Sequence, residues 1–396
     1  MKLGQNNIAD SGVAPFFRVA NADAVGLAPP PLRKGDAVRT WVRSLSGFQK
    51  EALVVSARSG LMWRLVSDEG AYLNGHDAAP CPLAFLTAGM IASYMNEITA
   101  LAAAEGVKLR HLRLIQNNYY TMTGSMKKRT MTGGALPVEL EVEVDCDLDE
   151  AALNQLLMNA VHASPLNGLM RGTLPSLFTL TRNGTRIATG AARELDAPVV
   201  PDPDGEQPVP AGSDMTLIER FGLSPRKEVA GGTAGAASSL TDEQDRTLNP
   251  AAICTLREDG IKEIEQHLYS PHGSVFRFLS DEAPAAGGKG RAPDAVSLIS
   301  AGIGFCFMTQ FGRMASMEQL DLPHYSIVQD THFSLGGASG GTGEAGTADP
   351  VETHVHLTTT ESDDVARDML DVSERTCFLH AFCRTDLKTR LKVTRP

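Results

Sequence analysis

Residues 293–314 read PDAVSLISAGIGFCFMTQFGRM, an apolar stretch with one cysteine, Cys306, near its middle. Apolar side chains fall on most faces of the helix that this stretch predicts, so it is a core helix rather than a surface one. Further on, SERTCFLHAFCR (373–384) puts Cys377 at the head of a second, short helix. The first half of the chain carries the same layout with both cysteines replaced.

A shift of 213 residues lays Trp63–Glu69 (WRLVSDE) on Phe276–Glu282 (FRFLSDE). The same shift matches Gly47 with Gly260, Ala88-Gly89 with Ala301-Gly302, Met95 with Met308, Gln116 with Gln329, Pro137 with Pro350, Arg171 with Arg384 and Thr181-Arg182 with Thr394-Arg395. One constant offset with no gap predicts a tandem duplication, with halves at 36–184 and 249–396. The period is far too long for a solenoid, so the repeating unit is a whole domain. At this offset Ser93 stands opposite Cys306, and Ser164 opposite Cys377.

Within the first half, VRTWVRSLSG, KEALVVSARSG and LMWRLVSDEG predict a three-stranded meander, with Gly and Ser-Gly as punctuation. A buried helix follows over Pro82–Glu105, then the strands HLRLIQNNYYTMTG and LPVELEVEVDCD, the second alternating strictly and so wet on one face. LDEAALNQLLMNAVHA and PLNGLMRG predict two more helices, and SLFTLTRN a last strand. Residues 1–35 read as a loosely held N-terminal arm. Residues 185–248, rich in Pro, Gly and Ala, read as a mobile linker with a helix-like island at MTLIERFG (215–222).

Composition narrows the function. A net charge of −11 argues against a grip on nucleic acid or anionic lipid. The apolar runs are interrupted by Gly, Ser or Thr before they reach bilayer length, and the N-terminus lacks a basic segment followed by an apolar one. A cytoplasmic protein with no nucleic-acid or membrane partner is therefore expected. The six cysteines (Cys81, Cys146, Cys254, Cys306, Cys377 and Cys383) show no C-x-x-C or zinc-ribbon spacing, which speaks for reduced thiols.

The order of elements, together with Ser297–Cys306 (SLISAGIGFC) and Arg375-Thr376-Cys377, resembles the OsmC/Ohr family. The resemblance covers both repeats. It implies an α+β fold of two OsmC-like domains that interlock as an intrachain pseudo-dimer, the first repeat being degenerate. It also implies catalytic roles for Cys306, oxidised by a hydroperoxide, and Cys377, which resolves it as a disulfide reopened by an external thiol reductant. No other cofactor and no metal is implied, and the partners are a small apolar hydroperoxide and that reductant. A peroxidatic cysteine reacts as thiolate, and its sulfenic acid condenses with a nearby thiol. Cys377, at a helix N-terminus, would be favoured as thiolate by free backbone N–H groups. Cys306, in mid-helix, needs a cation, for which Arg43 and Arg257 are the candidates.

The sequence departs from the family in four ways. Val296 stands where the family has a carboxylate that holds the arginine, the nearest carboxylate being Asp294. Phe378 replaces the proline after the second cysteine, the arginine is unplaced, and the first half has Ser93 and Ser164 in place of thiols. At most one of two pseudo-symmetric sites is then redox-active. Three functions remain open: an organic-hydroperoxide reductase, a cysteine-dependent lyase, isomerase or hydrolase acting on a small catabolite, and a non-catalytic binder of small molecules.

Other candidates read as structural. Cys383 is expected to pack, Cys81 to mark a helix boundary, and Cys146 and Cys254 to lie in strands. His354 and His356 share one strand face, with His332 on the partner strand, but Glu141 and Glu143 at the equivalent positions suggest a solvated face rather than a metal site. His111 and His324 occupy equivalent strand starts. SLGGASGGTGEAGTADP (334–350) lacks the Gly-Lys-Ser/Thr ending of a phosphate loop and joins two strands. Ser93 and Ser164 lack a G-x-S-x-G elbow, and His162 is the only nearby base.

Overall fold

The computed structural model describes residues 5–212, 215–231 and 238–396. In chain order, α1 (Asn7–Asp10) and β1 (Phe17–Arg18) precede the meander β2 (Asp36–Ser44), β3 (Lys50–Ser56) and β4 (Met62–Ser67). Then come α2 (Pro82–Ala104), β5 (His111–Ser125), β6 (Thr132–Asp145), α3 (Glu150–Ala163), α4 (Asn167–Arg171), β7 (Leu177–Arg182) and β8 (Thr185–Ile187). After β9 (Ile218–Leu223) the pattern recurs. The meander is β10 (Glu243–Leu256), β11 (Lys262–Ser270) and β12 (Ser274–Ser280), and the buried helix is α5 (Ala295–Glu318). β13 (His324–Phe333), β14 (Glu352–Thr358), α6 (Asp363–Thr376), α7 (Phe378–Arg384) and β15 (Thr389–Thr394) complete it.

The strands form two mixed sheets, ordered β1-β4-β3-β2-β13-β14-β7-β8 and β15-β6-β5-β10-β11-β12-β9. Both sheets draw on both halves. The first meander pairs through β2 with β13, the second through β10 with β5, both antiparallel. The last strand of each half then runs parallel to a strand of the other, β7 on β14 and β15 on β6. The halves are thus interlocked by exchanged strands, and neither sheet exists without both.

Three expectations need correction. The repeat is not gapless: Ser44 faces Lys50 in the first hairpin and Leu256 faces Lys262 in the second, so there the offset is 212 and Gly47 falls on Asp259, not Gly260. The residue is regained before the third strand, since Lys50 pairs with Ser67 and Lys262 with Ser280. Register outranks a glycine match because a one-residue slip would turn every side chain to the other face. The slip makes Lys50 and Lys262 equivalent. Second, the island at 215–222 is not helical: Ile218–Leu223 forms β9, paired with β12, because a sheet edge offers its backbone a ladder that an isolated turn of helix lacks. Third, the arm and linker are held against the fold. Phe17, Val19, Val25 and Leu27 are buried, and Asp202 accepts hydrogen bonds from Trp41 Nε1 (2.9 Å) and Ser326 Oγ (2.7 Å). Residues 1–4 of the arm and 213–214 and 232–237 of the linker lie outside the described residues.

α2 packs on the second sheet, α5 on the first, and the two helices cross between them. α5 is the only described helix long and apolar enough to cross a membrane, and its apolar surface is buried inside the protein. At the crossing the backbones touch. A Cβ on Gly89 would lie 2.6 Å from the Ala295 carbonyl oxygen and 2.8 Å from Ile299 N, and one on Gly302 would lie 2.6 Å from Leu86 N. Gly302→Ala should therefore destabilise the fold by about 1–3 kcal/mol through overpacking, although alanine is the better helix former. Urea unfolding of the variant checks this; an unchanged midpoint would mean that the crossing tolerates a methyl group.

Candidate active site

Asp294 starts α5 by accepting the Ser297 N–H at 2.8 Å, and Cys306 follows in the buried middle of the helix. Cys377 sits in the break between α6 and α7, with extended backbone (φ −72°, ψ 120°), capping one helix and opening the other. That break turns its thiol onto Cys306, with the sulfurs 3.4 Å apart. The two sequence-predicted cysteines are thus brought together from elements 71 residues apart, well inside the reach of a disulfide. The backbone N–H of Leu379, in the first turn of α7, is directed at Cys306. The amide help expected for Cys377 thus goes to Cys306.

A narrow cavity of ≈ 30 Å³ opens beside Cys306, walled by Leu83, Leu248, Leu268 and Phe378. Its polar side draws on both halves. Glu69, just past β4, is buried and accepts a hydrogen bond from Tyr72 OH (2.7 Å), with Thr309 Oγ1 at 2.9 Å from its other oxygen. Lys50 is wholly buried on β3, donates to the Phe48 carbonyl, and interacts electrostatically first with Glu69, then with Asp68 and Cys306. Burial drives Lys50 below the usual lysine range and Glu69 above the usual carboxylate range, each opposed chiefly by the other's charge. Arg246 and Arg313 line the same cavity.

The sequence candidates for the activating cation are displaced by this arrangement. Arg43 is bound to Glu51, its Nε 2.7 Å from the carboxylate, and Arg257 lies 3.5 Å from Asp259 on the surface. Both lie near strand or hairpin ends that face solvent, whereas the cation near Cys306 is Lys50. Val296 is buried, and a carboxylate is provided across the interlock by Glu69. Its signal was in the sequence as the match of Glu69 with Glu282; that of Lys50 with Lys262 was hidden by the one-residue slip.

The equivalent place in the other half keeps the frame and lacks the thiols. Ser93 Oγ lies 2.8 Å from Ser164 Oγ. Lys262 Nζ is 2.6 Å from Asn96 Oδ1 and 3.3 Å from Glu282. His162 offers its backbone carbonyl, to Gly346 N and Arg171. The glycine-rich segment closes over this place. Glu97 accepts the N–H groups of Ala338 (2.8 Å) and Ser339 (3.2 Å), and Cβ atoms on Gly336 and Gly346 would fall 1.9 Å from Glu97 and 2.0 Å from the Ser164 carbonyl. Close approach to protein, not phosphate, explains these glycines.

Cys81 caps α2 and is buried against the Cys306 cavity, a placement that the sequence did not reveal. Burial pushes the thiols of Cys81, Cys254 and Cys383 up to about 12. Cys254 lies in β10, Cys383 packs in α7, and Cys146 is buried just past the end of β6. The three histidines do not converge. His354 Nδ1 meets Thr179 Oγ1 (2.9 Å) and His356 Nε2 meets the Val200 carbonyl (2.9 Å). His332 instead gathers with Asp330 and Glu352, whose carboxylates are taken by Arg39 (2.8 Å) and Arg33 (2.8 Å). His111 and His324 begin β5 and β13.

Residues 288–392 match the model of the family described as OsmC-like protein. The C-terminal part of the chain is an OsmC-like domain, and the protein is a relative of the OsmC/Ohr family. Among solved structures, the chain is similar to an OsmC-like hydroperoxide resistance protein from Jannaschia sp. CCS1, at 16% identity over 32% of this chain and 79% of that one, with a TM-score of 0.20. No curated protein matches the chain. The matched domain contains α5, Cys306, α7 and Cys377, and receives Lys50 and Glu69 from outside its limits.

Burial, then the hydrogen bond in which the protonated Cys306 thiol is shared with Cys377, raise Cys306 well above its ordinary value. In the resting site Cys306 is therefore a neutral thiol at pH 7. Its alkylation by iodoacetamide should keep accelerating through pH 9 instead of levelling off there, as read by peptide mass spectrometry. Lys50→Met removes a charge that favours the thiolate, so it should lower the thiolate population, and with it the alkylation rate, about tenfold. A plateau below pH 8 would contradict this reading.

Proposed function

We propose that the protein is a thiol-dependent reductase of organic hydroperoxides, with Cys306 as the peroxidatic residue and Cys377 as the resolving one. The observation that carries the reading is the 3.4 Å approach of their sulfurs beside a narrow cavity with apolar walls. In the first step the Cys306 thiolate attacks the terminal oxygen of R–O–OH. The O–O bond breaks, Cys306 becomes a sulfenic acid, and the alkoxide leaves as R–OH after taking a proton. In the second step the Cys377 thiol attacks the Cys306 sulfur, forming the disulfide and releasing water. An external dithiol then reduces the disulfide and is itself oxidised. Lys50 and the Leu379 N–H favour the thiolate, and Glu69 balances Lys50. The first half, which we read as a second OsmC-like domain without thiols, supplies the Lys50–Glu69 pair and one wall of the cavity. The apolar walls favour an alkyl hydroperoxide over hydrogen peroxide.

One observation favours a second reading. A thiol held neutral by burial suits a cysteine-dependent lyase, isomerase or hydrolase whose substrate brings its own activation. Cys377 separates the two, since only the peroxidase needs it.

The test is consumption of cumene hydroperoxide with dithiothreitol as reductant. Cys306→Ser should abolish turnover. Reduced Cys377→Ser freed of dithiothreitol should consume one equivalent and stop, with a sulfenic acid trapped on Cys306 by dimedone, where the wild type ends as the Cys306–Cys377 disulfide. Absence of turnover by the wild-type protein, or turnover unaffected in Cys306→Ser, would refute the proposal.

A further inference from the structure

Two buried arginines line the Cys306 cavity without a carboxylate bonded to either. Arg313, on α5, is 1% exposed, and Arg246, on β10, is 6% exposed. Arg313 Nε donates to the Ser239 carbonyl (2.9 Å), Arg313 Nη1 meets Met122 Sδ (3.7 Å), and Arg246 Nη1 donates to Ser239 Oγ. Among the described residues, Arg246 Nε and Arg313 Nη2 have no hydrogen-bond partner, and neither guanidinium is in an ion pair. Gln310 Oε1, one turn before Arg313, is also buried without a donor.

A buried unpaired cation is costly, and two side by side cost more. Burial, and then the charge of Arg246, push Arg313 down to about 9, and burial pushes Arg246 down to about 10, so both are still charged at neutral pH. Glu69 is the acid whose charge reaches Arg246, and it is already engaged by Tyr72, Thr309 and the charge of Lys50. Arg313 accompanies the cysteines: at the 213-residue offset it is replaced by Ala100 and Gln310 by Glu97, whereas Arg246, at the 212-residue offset of the first hairpin, falls on another cation, Lys34. Packing demands shared by the two halves therefore do not account for Arg313.

We infer that Arg246 and Arg313 bind the carboxylate of an anionic substrate whose apolar chain runs along the cavity to Cys306. Arg313 lies seven residues beyond Cys306 on one helix, an axial separation of ~10 Å, which matches the span of a medium-length alkyl chain between the anion and the reacting group, for which the narrow cavity must widen. Two free N–H donors from two guanidinium groups suit the two oxygens of a carboxylate. The inference rests on the proposed reaction only for what happens at Cys306; the anion site stands on the arginines themselves.

The test uses sodium octanoate, octan-1-ol and octyl phosphate with the full-length reduced protein, by calorimetry and thermal shift. It is repeated in Cys306→Ser, so that binding is measured whether or not the peroxidase reading holds. Octanoate should bind more tightly than octanol. Arg246→Met and Arg313→Met should each weaken octanoate by about tenfold or more, the loss of one charge-assisted hydrogen bond, and leave octanol unchanged. Should either variant fail to fold, Arg246→Lys, which keeps the charge and loses the fork, should give an intermediate affinity, and the comparison of acid with alcohol needs no variant. Equal binding of octanoate and octanol, tighter binding of octyl phosphate, or folded arginine variants that bind octanoate like the wild type would overturn the inference.

Discussion

The close crossing of α2 and α5 sets everything else in this molecule. Gly89 and Gly302 are the points at which each helix admits the backbone of the other. Because the contacts are reciprocal, Gly89 on Ile299 and Gly302 on Leu86, they define a local two-fold relation between the halves. Four residues after each glycine, one turn further along, comes the position that holds Ser93 in one half and Cys306 in the other. A shift of either helix would move both places at once and part the strands β2 from β13 and β5 from β10. The exchange of strands then follows from the packing of these helices. Each repeat has three helices and six strands, but α5 lies on β2 and β3 of the first half and α2 on β10 and β11 of the second, so neither repeat covers its long apolar helix alone.

Two halves held together in this way can differ in their central side chains while sharing the frame around them. Lys50 and Lys262, and Glu69 and Glu282, are retained on both sides, each pair arising from one half and serving the helix of the other. A buried charge cannot be dropped singly without leaving its partner uncompensated, so the pair outlasts the chemistry it served. The thiols carry no such constraint, and the hydroxyls of Ser93 and Ser164 satisfy one another at 2.8 Å. Over them the glycine-rich segment folds down to bind Glu97, filling space that a substrate would need. Around Cys306 the corresponding cover is the β5–β6 arm, where Tyr120 packs at a tilt beside Phe378 and Gly133 lies against Thr376.

Much of this was legible in the sequence because it rested on pattern. Periodicity marked α2 and α5 as core helices, alternation marked β6, and a constant offset exposed the repeat and paired Cys306 with Ser93. What escaped depended on pairing across the chain. A one-residue slip in a hairpin concealed Lys50 opposite Lys262, and residue type alone pointed to Arg43 and Arg257, whose strands place them toward carboxylates and solvent. MTLIERFG has a helix-like composition, yet it became β9 because β12 offered an unpaired edge. Cys81, flanked by prolines, reads as a boundary residue and is one, but no local signal says that the boundary abuts the other half's cavity.

The neutral state of Cys306 and the unpaired state of the arginines are parts of one electrostatic problem. Positive groups outnumber negative ones around the cavity, with Arg246 and Arg313 on its wall and Lys50 close to Glu69, set against Glu69 and the nearby Asp68. Even so, the thiol is held protonated, because desolvation outweighs charges that already interact with Glu69 or with polar groups around Ser239. An anion entering between the arginines would compensate the surplus charge but would not by itself help a thiolate form. Activation of Cys306 must therefore come from the contacts made at its own end of the cavity, the Leu379 N–H and Lys50. The two ends are nonetheless linked through Glu69, whose charge acts on Arg246, on Lys50 and on Cys306. Leu83, Leu248, Leu268 and Phe378 keep the walls around that carboxylate apolar, so its charge is felt over a longer range than it would be in water.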